Sequence, residues 1–129
     1  MMSSSRLFCR LAVLSLLTLA PTYAHAEAWV DVAAALWRSG DGLAHVAVGF
    51  SGTQDTGEAA TASAIQQCQG AGGRGCRNLG PVRGCAYIVA AKTRDGVAFG
   101  AGGSAEDAIA SAKEAGAVSW GRPIGGCGN

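Results

Sequence analysis

The same local pattern occurs twice in the chain, and this duplication constrains the fold more than any other feature. Each copy contains an apolar strand, a five-residue turn that ends in Asp-Gly, a second strand and an Ala-rich helix. Asp-Gly supplies the positive φ that a tight hairpin requires. The sequence therefore predicts an α+β domain of two ββα half-repeats, an antiparallel sheet with helices on one face.

The positions of these elements follow from the apolar pattern and the turn residues. Predicted strands and helices lie at residues 29–37, 43–50, 57–69, 85–91, 97–100 and 105–115, with a closing C-terminal strand at 118–120 or 124–127. Thr56 and Ser104 precede the two helices. We expect both to act as N-caps, because a hydroxyl oxygen can accept a hydrogen bond from the first turn.

The interior of such a domain must be thin. The chain has 129 residues, enough for one domain, with 20 glycines and only 6% aromatic residues. Helices faced with alanine can approach a sheet closely and keep the packing dense. Burial of so few large side chains leaves little stability margin, and we therefore expect covalent cross-links.

The first 26 residues are predicted to be a secretory signal peptide. Arg6 and Arg10 precede an apolar run at residues 11–20, and Ala24-His25-Ala26 resembles a cleavage site. The run is shorter than the roughly 20 residues that span a bilayer, so we expect no stable membrane insertion. The remaining domain, residues 27–129, is expected to be periplasmic or extracellular.

Four cysteines remain once Cys9 is removed with the signal peptide. An even number in a small exported domain predicts two disulfides, and four cysteines allow three pairings. We favour Cys68 with Cys76 and Cys85 with Cys127, which would tie the first helix to the next loop and the second hairpin to the tail. The spacings lack the close cysteine pairs of zinc sites, so no metal is predicted.

Charge excludes nucleic acid as a partner. The ten basic and nine acidic side chains form no basic run, and the mature domain carries a formal charge of −1 once residues 1–26 are removed. Arg74, Arg77 and Arg83 surround the cysteine loop. They are a candidate contact patch for an anionic protein or envelope polymer, although a solvated loop is the simpler interpretation.

His45 is a candidate for a catalytic role. His45 is the one histidine of the mature domain, and a triad would need Ser39 or Ser51 with Asp31 or Asp41. No G-x-S-x-G elbow accompanies it, so a structural histidine is favoured.

Asp31 lies in an apolar strand, where we expect it to face solvent, to pair with an arginine such as Arg83, or to serve a site, in that order.

A glycine-rich segment at residues 100–105 reads G-x-G-x-x-A between a strand and a helix, as in dinucleotide-binding proteins. The chain is too short for a doubly wound sheet, and Glu106 with Asp107 would repel a pyrophosphate. No cofactor is therefore predicted.

The order of several motifs resembles an exported bacterial family, that of domain of unknown function 4189. The motifs are Trp29-Val30-Asp31-Val32-Ala33, Cys68, Cys76, Cys85-Ala86-Tyr87-Ile88-Val89-Ala90 and Cys127-Gly128-Asn129, within residues 28–129. Val30-Asp31 departs from the usual Gly-Ala, and Ala115-Gly116 stands where many members have a cysteine. The resemblance implies export and a small disulfide-bonded α+β domain, but no activity and no catalytic residues.

Together these observations predict a binding or interaction module of the bacterial envelope or exterior without a catalytic role. The partner would be a protein or an envelope component. Two alternatives are a small secreted hydrolase that uses His45 with nearby acids, and an inhibitor or immunity-type partner of an exported enzyme. The last would show one exposed apolar patch rather than a pocket.

Overall fold

A computed structural model describes residues 28–128, which form two ββα units in sequence. The predicted signal peptide lies outside the described residues. The first unit contains β1 (Val32–Arg38), β2 (Ala44–Phe50), α1 (Gly57–Gly70) and β3 (Arg77–Asn78). The second contains β4 (Cys85–Lys92), β5 (Val97–Gly102), α2 (Ala105–Glu114), β6 (Ser119–Trp120) and β7 (Ile124–Cys127). The predicted duplication is confirmed, but the two turns differ: Gly42 has the expected positive φ of 84°, whereas the expectation for Gly96 is wrong, because its φ is not positive.

Each unit has its own antiparallel sheet. The first sheet has the order β2-β1-β3; in the second, β4 pairs with β5 on one side and with β6 and β7 on the other. Both predicted closing strands therefore form. Successive side chains of a strand point to opposite faces, so each sheet has one face toward its helix and one toward the other sheet. The layers follow the order α1, first sheet, second sheet, α2.

Several of the larger core side chains lie between the two sheets. Val30, Val32 and Ile88 are buried there, with Phe50 and Phe99 packed against them. The two helix–sheet layers are built mainly from alanine. The predicted thin interior thus has one layer of larger residues between two layers of small ones.

Two glycines set the close approach of helix and sheet. A Cβ added to Gly49 would lie 2.4 Å from the Ala64 carbonyl oxygen, and one added to Gly100 would lie 2.0 Å from the Ala108 carbonyl oxygen. Any side chain at either position would push its helix away. The expected tight contact of alanine-faced helices is therefore confirmed and depends on these glycines.

The predicted caps and disulfides are also confirmed. The Thr56 hydroxyl oxygen accepts from the Ala59 amide at 3.1 Å, and that of Ser104 accepts from the Asp107 amide at 3.0 Å. The disulfides are Cys68–Cys76, which joins α1 to the segment before β3, and Cys85–Cys127, which joins opposite residues of β4 and β7. Within residues 28–128, neither helix is long and apolar enough to cross a membrane.

Candidate functional site

The first hairpin carries a polar cluster at its tip. His45 stacks on Trp37, the opposite residue of β1, with ring centroids 5.5 Å apart. Its Nε2 lies 3.0 Å from the Ser39 hydroxyl oxygen, and that hydroxyl donates to an Asp41 carboxylate oxygen. The structure therefore brings together three of the residues that the sequence suggested for a triad.

The order of these contacts differs from that of a hydrolytic triad. In a triad the histidine lies between serine and aspartate and takes the serine proton. Here Ser39 lies in the middle and its hydroxyl donates a hydrogen bond to the Asp41 carboxylate, so Nε2 of His45 must donate to the Ser39 oxygen. The ring is therefore not placed to act as a base toward Ser39. The arrangement supports a structural role in the turn.

The same turn stabilises a carboxylate. The Ser39 hydroxyl and then the Leu43 amide, at 3.2 Å, hydrogen-bond to Asp41 and lower the pKa of its carboxyl below the usual 3.8. Asp41 is exposed to solvent. It is thus ionised at neutral pH and acts as an acceptor that holds the turn.

Asp31 is buried, and the expectation that it faces solvent is wrong. Its side chain is 0% exposed and accepts four hydrogen bonds. The donors are the amides of Val32 and Gly80, the Thr61 hydroxyl and the Asn78 side-chain amide, at 2.8 to 3.0 Å. Because uncharged groups supply these bonds, burial of the carboxylate needs no arginine.

These four bonds connect separate parts of the first unit. Thr61 belongs to α1, Asn78 to β3 and Gly80 to the loop that follows β3. The Asp31 main-chain amide also donates to the Ser51 hydroxyl at 2.9 Å. Asp31 therefore joins the helix, the short strand and the end of β2, and it is inaccessible to a substrate.

The three arginines of the predicted patch have different surroundings. Arg74 lies in the loop closed by the first disulfide, Arg77 begins β3, and the guanidinium of Arg83 covers the Trp29 ring with its carbon 4.7 Å from the centroid. All three are exposed. Their role as a contact patch stays a prediction.

A broad opening of about 890 Å³ lies beside the start of α1. Trp29, Ile65 and Pro81 supply apolar walls, and Asp55 and Glu58 also line it. Two carboxylates would repel an anion, so this opening does not suit the anionic partner considered for the arginines.

Among residues 28–128, no strand pairs with the outer edge of β2, which we call its free edge. β2 is the outer strand of the first sheet, and its pairing with β1 runs without interruption from Val32 opposite Phe50 to Arg38 opposite Ala44. Residues at odd positions exchange main-chain hydrogen bonds with β1, as the flanking bonds from Ser39 to Leu43 and from Ser51 to Asp31 show. The alternation of an antiparallel ladder then directs the main-chain groups of the even positions outward.

Two openings flank this free edge. One, of about 330 Å³, includes Ala44, Val46 and Trp120 in its lining; the other, of about 510 Å³, includes Val48, Phe50 and Ile124. We call these six residues, which line two separate openings along the same strand, the β2 trench. Val46, Trp120 and Ile124 are each about 40% exposed (39%, 41% and 39%), so the trench is an apolar surface open to solvent.

Two basic side chains lie near the Trp120 end of the trench. Lys92 is the charged member of the lining there, and the Lys113 ammonium lies 5.0 Å from the Trp120 ring centroid. The opposite end is lined by the uncharged Gln67, Gly70 and Ala71 beside Ile124. The trench is therefore electrostatically asymmetric.

No family model matches the chain, and neither a curated protein nor a solved structure matches it. The resemblance to the family of domain of unknown function 4189 stays a prediction. Within residues 28–128, no three His, Cys, Asp or Glu side chains come together in a way that could hold a metal ion.

Sequence reasoning missed the β2 trench. Its signal was present in the strand 44–50, which contains no Lys, Arg, Asp, Glu or Pro. Charged residues and proline are the usual means of protecting an edge strand. Their absence identifies β2 as an unprotected edge only after the strand order is known.

Proposed function

We propose that this chain is an exported, non-catalytic binding module of the bacterial envelope or exterior, and that the β2 trench is its contact surface. The main support is the combination, along one strand, of exposed apolar side chains and main-chain groups that pair with nothing else in residues 28–128. Exposed apolar patches of this kind are typical of interaction sites. Two disulfides in a small domain are compatible with export to an oxidising compartment.

The polar cluster of the first hairpin favours this proposal over the hydrolase. Its serine is hydrogen-bonded between the other two side chains, and its aspartate is exposed in a turn. The apolar character of the trench also fits the inhibitor or immunity-type alternative, which is a special case of a binding module.

Site-specific photocrosslinking in an exporting bacterium tests the proposal. A photoreactive side chain at Val46 should give a discrete adduct in the fraction outside the cytoplasm. The matched control is the same group at Gln66, an exposed residue of α1 outside the trench lining. Adducts that form equally at both positions, or at neither, would reject the proposal. Hydrolysis of envelope material by the purified domain that is lost in Ser39→Ala would replace it with the hydrolase.

A further inference from the structure

We propose that the β2 trench binds an extended polypeptide segment by strand addition, and that this segment is apolar with a carboxylate at the Trp120 end. The bound segment would become the fourth strand of the first sheet. This inference rests on the proposed function and specifies the chemistry of the ligand.

The main chain of β2 provides the first reason for an extended ligand. Ala44, Val46, Val48 and Phe50 direct their N–H and C=O groups outward, and among residues 28–128 none of these groups has a hydrogen-bond partner. Strand addition satisfies such a row, because an extended peptide offers donors and acceptors at the same spacing. Seven residues of β2 correspond to a row about 23 Å long at roughly 3.3 Å per residue.

The shape of the trench gives the second reason. The two openings lie along the same strand, one beside Val46 and the other beside Val48 and Phe50. A compact molecule would fill one opening, whereas a strand could follow the edge past both. Alternate side chains of a bound strand would point toward the second sheet, where Trp120 and Ile124 provide apolar contacts.

Charge defines the ligand further. Lys92 and Lys113 lie at the Trp120 end, so a carboxylate on the peptide would be attracted there. A second copy of this chain fits less well. Two-fold pairing of β2 with itself is antiparallel and would place the Trp120 end of one copy against the uncharged Phe50 end of the other. That pairing provides no carboxylate for the lysines.

The experiment uses the purified, disulfide-bonded domain and synthetic peptides of alternating Val and Thr with two Asp residues at one end. Two further peptides carry N-methyl groups on complementary, alternating sets of amides. An added strand hydrogen-bonds through one set only, so calorimetry should show that one N-methylated peptide loses at least about tenfold in affinity and the other does not. Equal losses for both peptides, or no binding by the parent peptide, would overturn the proposal.

The attraction between the lysines and a carboxylate on the peptide is tested separately. Lys92→Glu should weaken binding of the Asp peptide about tenfold and strengthen binding of a peptide with Lys in place of Asp. Arg74→Glu is the matched control, because Arg74 is exposed and lies outside the trench lining. The same response in both variants would overturn the assignment of the carboxylate.

Sedimentation shows whether a second copy of this chain binds at the β2 trench. The proposal expects a monomer in the absence of peptide, and a dimer that Val46→Asp disperses would overturn it. This failure differs from failure of the proposed function. Val46 adducts to a partner in the exporting cell, without binding of the peptides, would reject strand addition but leave the binding module intact.

Discussion

The two ββα units share one packing solution but differ in their polar chemistry. Gly49 of β2 lies against the Ala64 carbonyl and the Cys68 amide, and Gly100 of β5 lies against the Ala108 carbonyl and the Ala112 amide. The two glycines are therefore equivalent positions. In both units a missing side chain allows the helix to rest on the hairpin, so this contact is the common requirement of the fold.

The Asp31 network belongs to the first unit alone. Ala33 is opposite Gly49 and Val89 is opposite Gly100, so Ala33 and Val89 are equivalent positions. Two positions earlier, Asp31 therefore corresponds to Tyr87. By the same alignment, Ser51 and Thr61 correspond to Gly102 and Ala105. A ββα unit can therefore form without the buried carboxylate. The carboxylate is present in the unit that contains the β3 strand, and it holds that strand through Asn78.

The largest difference between the units should come from their disulfides. Removal of Cys85–Cys127, whose cysteines are 42 positions apart, should lower the free energy of unfolding by about 4 kcal/mol, and removal of Cys68–Cys76, 8 apart, by about 2.5 kcal/mol. The longer loop restricts the unfolded chain more. Urea unfolding of the two double Cys→Ala variants measures both values. The opposite order, or a melting temperature unchanged by full reduction, would contradict the expectation.

Substitution of the two equivalent glycines should affect the units alike. Gly49→Ala and Gly100→Ala should each cost about 3 kcal/mol, because the new methyl group overlaps helix main-chain atoms. Gly40→Ala is the control, since an added Cβ there meets no atom within 4 Å. Chemical denaturation gives all three values. A large loss of stability at only one of the equivalent positions would mean that the two units do not share the same helix–sheet packing.

Asp31→Asn should destabilise the protein by about 2 kcal/mol. The amide replaces one carboxylate oxygen with a donor that would face the donors already in place. Asp55→Asn, at an exposed site, should change the free energy of unfolding by less than about 0.5 kcal/mol. If both variants unfold at the same urea concentration, the network contributes nothing that the second unit lacks.

The smallest expected effect is a change in the pKa of Asp41, in the turn of the first hairpin. The pKa of Asp41 is lowered in the folded state, so its contribution to stability is present at neutral pH and is lost as the pH falls through that folded pKa, below 3.8. Ser39→Ala should raise the midpoint toward 3.8 by removing the main cause. An NMR titration of the Asp41 carboxyl carbon measures the shift. Thr93→Ala, in the second turn, should leave the midpoint unchanged, and an unchanged midpoint in Ser39→Ala would contradict the assignment.

Local signals in the sequence predicted much of this fold. Each hairpin, helix and cap depends on residues that are neighbours in the chain, such as Asp41-Gly42 in the first turn or Thr56 before α1. The disulfide pairing was favoured for a related reason, because each bridge closes a segment within or next to one unit.

The contacts that the sequence did not predict join distant segments. Asp31 is buried because Thr61, Asn78 and Gly80 reach it from 30, 47 and 49 positions away. Likewise, the stacking of the two sheets joins segments far apart in the chain, and the edge position of β2 follows from the pairing of β1 with the distant β3. Of the candidate site, the Ser39, Asp41 and His45 cluster was suggested by the sequence, whereas the trench was not.

The Cys85–Cys127 bridge has a consequence for what happens when a protease cuts the chain. It closes a covalent ring around β5, α2 and β6, so a single cut anywhere between the two cysteines leaves both fragments attached. The ring of the first unit encloses only residues 69–75, and a cut in β1, β2 or most of α1 severs the chain completely. One half of the molecule can thus be nicked and stay in one piece, while the other depends on its fold to keep proteases out.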